Sequence, residues 1–357
     1  MDAQTHAEIS AGGQGGDAVF SVSTSRGFTD WLRQHRLSLA VSTYQVGKLF
    51  FFGVRPDGRL WIFNRNLGRC LGLAVTGEDM WVAGDSQILK FVNAMAPGET
   101  STEGHDALYV PQAAYFTGDV DAHDLAIAGD GLPVFANTLF NGLSRPSTVK
   151  SFELLWQPKF ISRTTAEDRC HLNGVALRDG KPAFATVVAL SDTFDGWRDR
   201  RKDGGAVIDV ATGETVCAGL SMPHSPRWHE GRLWLHNSGT GEFGFVDPAR
   251  SRFEPVAFCP GYLRGLDFAG GCAIAGLSRP RGNRTFSGLA LDAALEERNV
   301  EPRCGAYVID LASGAIVHSL TIEGVVQELY DIAVLPGKQQ PAIVAPGSPE
   351  ARRMISL

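Results

Sequence analysis

The sequence predicts an all-β chain folded as a single β-propeller of four-stranded blades, and three observations carry that prediction. Short apolar strands alternate with Gly- and Asp-rich turns through most of the 357 residues, as in "KLFFFGVRPDGRLWIFNRN" and "PRWHEGRLWLHN". Evenly spaced short strands of this kind suit a sandwich, a barrel or a propeller. A hairpin then recurs, "VIDVATGETV" (207–216), "FVDPARSRFEPV" (245–256) and "VIDLASGAIV" (308–317), each an apolar strand ending in Asp, a turn and an outgoing strand. An entry pattern also recurs: "AHDLAIAGDGLPVFANT" (122–138), "CHLNGVALRDGKPAFAT" (170–186) and "PHSPRWHEGRLWLHNSG" (223–239) each place a histidine before an apolar strand and a tight turn. Repeats of one supersecondary unit that cannot bury both faces alone require a closed ring of such units.

In chain order, residues 1–17 are polar and Gly-rich and read as a disordered head before a propeller spanning 18–357. The strand "AVFSVST" (18–24) is expected to close the ring as an outer edge, since a ring leaves no open sheet edges. A helix is expected over 28–36, with Thr29 and Asp30 available as caps, and a second over 287–299. Innermost strands start near residues 39, 72, 123, 173, 225, 264 and 330, which counts seven blades. Six result if the unit 39–64 is only part of the last blade. The turns after the innermost strands are tight. The loops 139–149, 190–204 and 277–303 are long and lie on the opposite face, where long loops in a compact repeat form binding surfaces.

Composition narrows the function. A net charge of −6 gives no basic field for a phosphate backbone, so no nucleic-acid partner is expected. Glycine-rich "GGQGG" precedes no strand–helix unit, and no nucleotide cofactor is expected. The six cysteines form no CxxC pair and read as reduced core residues. There is no apolar run of membrane length and no secretion leader, so a cytoplasmic, non-membrane protein is expected; its oligomeric state stays open.

The residues just before each innermost strand sit where the channel opens onto the long-loop face. They are His123 with Asp124, His171 with Asn173, His224 with Ser225 and Arg227, then Arg264, and Glu328 with Tyr330 and Asp331. The ends of the second strands add Asn237 and Arg279. Three histidines from consecutive blades are candidate ligands for one divalent metal (Zn, Fe, Cu, Mn or Ca), although their spacing is that of blades and not of a local metal motif. The competing reading gives His123, His171 and His224 hydrogen bonds to neighbouring blades or to a polar substrate. Glu328, Asp331, Tyr330 and Asp124 are candidate catalytic groups. Asn173, Ser225, Arg227, Arg264, Arg279 and Asn237 are candidate substrate holders, with the guanidinium forks suited to an anion. For any one arginine, pairing with a neighbouring blade's Asp competes with that role.

The stretches "FTGDVDAHDLAIAGDGL", "PKFISRTTAEDRCHLNGVAL", "GLSMPHSPRWHEGRLWLHNSGTGEFG", "RGLDFAGGCAIAGLSR" and "VQELYDIAVLPG" resemble a family of bacterial conserved hypothetical proteins containing a domain of unknown function, over about residues 28–337. The resemblance supplies no activity. The residues themselves point to an enzyme acting on a small polar, anionic metabolite at the channel mouth, by hydrolysis, elimination or isomerisation. The alternative is a non-catalytic propeller that binds a ligand or peptide.

Overall fold

A computed structural model describes residues 5–9, 20–279 and 287–355, of which 5–9 are described by backbone alone. Most of the expected 1–17 head therefore lies outside the described residues, as does part of the 277–303 loop.

The strands follow the chain in blade order. Strands β1 (Thr5–Ile9) and β2 (Phe20–Thr24) precede helix α1 (Phe28–His35), then β3 (Leu37–Thr43), β4 (Lys48–Val54) and β5 (Leu60–Asn66). Blade 1 is β6 (Leu73–Thr76), β7 (Asp79–Ala83), β8 (Gln87–Asn93) and β9 (Ala107–Phe116). Blade 2 is β10 (Ala122–Ile127), β11 (Pro133–Asn137), β12 (Gly142–Arg145) and β13 (Glu153–Trp156). Blade 3 is β14 (Leu172–Arg178), β15 (Lys181–Val187), β16 (Gly205–Asp209) and β17 (Thr215–Leu220). Blade 4 is β18 (Pro223–His229), β19 (Arg232–Asn237), β20 (Glu242–Asp247) and β21 (Arg252–Phe258). Blade 5 is β22 (Tyr262–Ala269), β23 (Cys272–Ser278), then, after helix α2 (Ala290–Arg298), β24 (Gly305–Asp310) and β25 (Ile316–Gly324). Blade 6 takes β26 (Leu329–Pro336) as its inner strand and β3, β4 and β5 as the rest; β27 (Pro341–Ile343) adds to the outside of blade 1 in parallel with β9.

The ring thus has six blades, correcting the seven-blade count in favour of the six-blade alternative. The strand near residue 39 is the second strand of the last blade: Ala40 pairs with Ala333 and Leu37 with Pro336. Every residue of β3 is buried, which is why it reads as an innermost strand from sequence alone. Ring closure is this pairing of chain ends, β26 with β3. Strand β2 instead extends blade 5, pairing Val22 with Ile322 on β25, and β1 pairs with β2 outside it. The 139–149 loop is also shorter than expected, because it contains β12.

The recurring hairpins are the outer pairs β16–β17, β20–β21 and β24–β25. The tight inner turns use two residues with positive φ, as at Asp179–Gly180 and Glu230–Gly231, the geometry that matches strand twist in a hairpin. Helix α1 buries Phe28, Trp31 and Leu32 in the core shared by blades 5 and 6. Its N-cap is Gly27 at φ 82, with no side-chain cap; Thr29 and Asp30 lie inside the first turn, and Asp30 pairs with Arg33 at 3.3 Å.

Two kinds of side chain stitch neighbouring blades. A hydroxyl near the end of a second strand donates to a carbonyl at the next blade's entrance: Ser42 to Leu71 (2.6 Å), Thr138 to Leu172 (2.6 Å), Ser238 to Leu263 (2.7 Å) and Ser278 to Leu329 (3.1 Å). An inner-strand carboxylate accepts from the next blade's backbone: Asp124 from Val175 N (2.9 Å), Asp267 from Val334 N (2.7 Å) and Asp331 from Leu73 N (2.8 Å). Buried backbone donors need such partners where blades splay apart. Inner strands approach so closely that a Cβ on Gly265, itself at φ 78, would stand 2.5 Å from Ile332 N.

Candidate active site

Five of the six inner strands carry a bulge just past their entrance, between Ala122 and Leu125, Leu172 and Gly174, His224 and Arg227, Leu263 and Leu266, and Leu329 and Ile332. A bulge inserts an unpaired residue and re-aims its side chain. His123, Asn173, Ser225, Arg264 and Tyr330 lie within these bulges. Most of the residues expected at the channel mouth are therefore brought together by one repeated backbone device.

The aromatic and histidine rings form a continuous arc. Trp197 stacks on His171 (centroids 4.1 Å), His171 meets His123 edge-on (4.7 Å), and His123 lies 5.7 Å from Tyr330. The Arg264 guanidinium sits over the Tyr330 ring at 4.6 Å and lies 5.7 Å from the Tyr262 ring. Tyr262 in turn packs against His224 at 5.4 Å.

Hydrogen bonds fix the tautomers. His123 Nδ1 lies 3.0 Å from the Asp121 carbonyl and 2.8 Å from Thr138 Oγ1, whose own proton goes to Leu172 O. His224 Nδ1 lies 2.8 Å from the Met222 carbonyl. Carbonyl oxygens only accept, so both rings carry their proton on Nδ1 and present a bare Nε2. The Asn173 amide approaches Nε2 of His224 at 3.5 Å while its oxygen accepts from Thr186 at 2.8 Å. Burial lowers the His123 pKa to about 4, with the cations around it adding to the effect against the pull of Asp121. Burial likewise holds His224 well below the usual histidine range, helped by Arg264.

His171 differs. Its backbone is left-handed (φ 50), which lets Asp168 clasp it twice: Oδ2 lies 2.7 Å from the ring Nδ1, and Oδ1 accepts from its backbone N–H at 3.0 Å. Asp168 lies in the connection from blade 3's predecessor, and Arg169 next to it ties that connection to Asp192 of the 188–204 loop at 2.6 Å. A carboxylate on Nδ1 of a histidine holds the tautomer whose Nε2 accepts a proton.

Arg264 is only 7 % exposed and Tyr330 only 4 %, and among the described residues neither Arg264 Nε nor the Tyr330 hydroxyl has a hydrogen-bond partner. Burial raises the Tyr330 phenol far above its ordinary range, so it stays a donor, although Arg264 works against that shift. Asp121 is held by Arg69 at 2.6 Å; burial would raise its carboxyl, but His123, His171, Arg69 and Arg264 outweigh it and lower the pKa. Glu328 is buried beside Arg264, which feels its charge.

Below this tier the channel is plugged. Arg227 donates to both oxygens of Asp124 (2.9 and 3.0 Å) and to Leu266 O (3.1 Å), with Asp331 at 3.7 Å. Asp331 also accepts from Leu73 N and Ile332 N. Arg227, Asp124 and Asp331 are thus engaged with one another and with the backbone. Burial pushes Asp331 up to about 7, with Asp124 adding to it and Arg227 opposing it. Beneath the plug a cavity of about 240 Å³, lined by Arg227, Asp267 and apolar inner-strand residues, continues towards the other face. Ser225 accepts from Gly265 N (2.9 Å), Asn237 from Ser221 N (2.7 Å), and Arg279 donates to Gln327 (3.4 Å). Among the described residues no cluster of three or more His, Cys, Asp or Glu side chains is set to hold a metal ion. All six cysteines are free and buried, and among the described residues no helix is long and apolar enough to cross a membrane.

The residues missed from sequence are Asp168, Asp121, Arg69 and Thr138's role as acceptor. Asp168 precedes its histidine by three residues, a local signal, but it lies outside the entry repeat. The cavity of about 830 Å³ beside Trp197, lined by residues of the 193–201 loop and Ser287, lies on the long-loop side, as the loop lengths imply.

The sequence pattern described as "Domain of unknown function (DUF4915)" matches residues 26–344. The chain belongs to this DUF4915 family. No curated protein matches it. Among solved structures, a chain of a nidogen/laminin complex is similar at 10% identity, covering 84% of this chain and 99% of that one, with a TM-score of 0.51, which supports the shared fold. A virginiamycin B lyase from Staphylococcus aureus is similar at 10% identity over 90% of this chain and 100% of that one, TM-score 0.39. A luciferin-regenerating enzyme is similar at 11% identity over 86% and 94%, TM-score 0.40. The DUF4915 match spans every inner strand, and with them all the site residues above.

Proposed function

We propose that the channel mouth is the active site of an acid–base enzyme acting on a small anionic metabolite. The observation that carries this reading is the Asp168–His171 pair, 2.7 Å apart, whose ring meets that of His123 in the same arc as Arg264 and Tyr330. His171 Nε2 takes a proton from the substrate or from an attacking water and returns it to the product; Asp168 stabilises the imidazolium that forms. Arg264 and the Tyr330 hydroxyl, both buried, hold the anionic end and stabilise negative charge that develops there. The base role passes to His171 in preference to Asp331 or Asp124, because both carboxylates are occupied by Arg227 and backbone donors. Elimination, isomerisation and hydrolysis share this proton step.

The test is solvent exchange: protein in D₂O with a panel of small organic acids, followed by mass spectrometry. Deuterium incorporation or turnover that disappears in folded His171→Ala supports the reading. Turnover unaffected by that change removes His171 from the base role, and a panel that binds and is never altered points to the non-catalytic alternative.

A further inference from the structure

The donors and acceptors at the mouth define a ligand more narrowly, on the assumption that this mouth is the active site. Arg264 is a buried cation, and among the described residues no carboxylate lies within ion-pair distance of it. Burying a guanidinium with an unpaired N–H is unfavourable unless something else pairs with it. The adjacent Tyr330 hydroxyl is a second buried donor without a partner among the described residues. Two unpaired donors side by side call for one acceptor group. The charge around them limits that group: Asp121 and Glu328 both exert their negative charge on Arg264, so among the described residues its positive charge is already partly offset and a single negative charge on the ligand suits it better than two. Arg69 is already committed to Asp121 and to the Tyr44 hydroxyl.

The other side of the mouth has the opposite character. His123 and His171 each commit Nδ1 to an acceptor and leave Nε2 as a lone pair with no protein donor among the described residues. Among the described residues, Nε2 of His224 has only the long 3.5 Å approach of Asn173. A ligand facing these rings must bring donors of its own, and hydroxyl groups do so without adding charge.

We infer that the site takes a monoanionic hydroxycarboxylate, its carboxylate on Arg264 and Tyr330 and its hydroxyls on the Nε2 atoms of the three histidines. The carboxylate matches the planar fork of the guanidinium. The hydroxyl donors discriminate against a plain fatty acid, because a ligand without them leaves buried acceptors unpaired.

The experiment is calorimetric titration of the whole protein with glycerate, threonate and galactonate. Galactitol (hydroxyls, no carboxylate), hexanoate (carboxylate, no hydroxyls) and 3-phosphoglycerate (a carboxylate plus a phosphate, hence multiply charged) serve as controls. The expected result is that at least one hydroxy acid binds roughly tenfold or more tightly than every control. Arg264→Gln should lose that preference over galactitol. Tyr330→Phe, which keeps the ring under Arg264, should weaken the hydroxy acid several-fold and leave galactitol unchanged. Equal binding of hexanoate or galactitol, tighter binding of 3-phosphoglycerate, or no binding by any of the three hydroxy acids overturns the assignment. Binding is also measured in His171→Ala. Hydroxy-acid binding with no proton exchange in the wild type overturns the catalytic reading while leaving the ligand class standing.

Discussion

Replacing Arg227 with methionine removes the cation that plugs the channel. The guanidinium makes two bonds to Asp124 at 2.9 and 3.0 Å, one to Leu266 O at 3.1 Å and one to Pro226 O at 3.0 Å, and it opposes the charge of Asp331 at 3.7 Å. The variant leaves two buried carboxylates facing each other with only backbone N–H groups for company. Removing one partner of a buried pair costs about 3–5 kcal/mol, because the remaining charge stays desolvated. For a chain of this size that corresponds to a fall in Tm of roughly 4–7 °C. The assay is urea unfolding of Arg227→Met, Asp124→Asn and the double variant. Residues in direct contact should show non-additivity, with the double variant losing less than the sum of the singles by about 1–3 kcal/mol. The deficit of Arg227→Met should also grow with pH. Without the cation that opposes it, the Asp331 carboxyl, which burial already raises, titrates still higher in the folded state than in the unfolded chain, so stability is lost as pH rises above about 4. An Arg227→Met protein within about 1 kcal/mol of wild type, or strictly additive singles, would refute the plug.

Three other outcomes follow from the same geometry. Asp331, raised to about 7 by burial, binds a proton more tightly folded than unfolded, so it lowers stability as pH climbs from the unfolded carboxyl value towards 7. Relative to wild type, Asp331→Asn should flatten that decline, whose slope is at most about 1.4 kcal/mol per pH unit; parallel pH–stability curves for the two proteins would count against it. Gly265→Ala forces a Cβ at φ 78 to within 2.5 Å of Ile332 N and should cost about 2 kcal/mol or more, measured by thermal unfolding, whereas a neutral effect would mean the inner strands are further apart. A chain ending at residue 324 lacks β26 and leaves β3 unpaired on its inner side, so it should lose cooperative unfolding and near-UV dichroism; a sharp, native-like transition would contradict closure by the two chain ends.

The fold was legible where it repeats. The hairpins at 207–216, 245–256 and 308–317 could be read because Asp ends a strand at the same point each time, and the structure makes all three the third and fourth strands of a blade. The blade count was not legible because one blade is split between chain ends: β3 is buried throughout and β26 in all but Pro336, and only their pairing reveals one blade instead of two. At the mouth, His123, His171, His224, Arg264 and Tyr330 were legible because each stands at the entrance of an inner strand. The partnership of Asp124 with Arg227 was not, since it joins residues 103 apart across the channel and leaves no local pattern. Asp168 escaped for the opposite reason: it is three residues from His171, but only the left-handed turn at that histidine brings carboxylate and ring together.

The central claim is that His171, oriented by Asp168, is the proton-transfer group of a site that holds an anion on Arg264. Its most direct test is deuterium exchange or turnover of a bound hydroxy acid in wild type, His171→Ala and Asp168→Asn, each shown to be folded and to bind the acid. Asn donates to Nδ1 and shifts the ring proton to Nε2, so the account predicts a rate loss of roughly 10²–10⁴-fold in Asp168→Asn and near-complete loss in His171→Ala. Wild-type rates in either variant would contradict it.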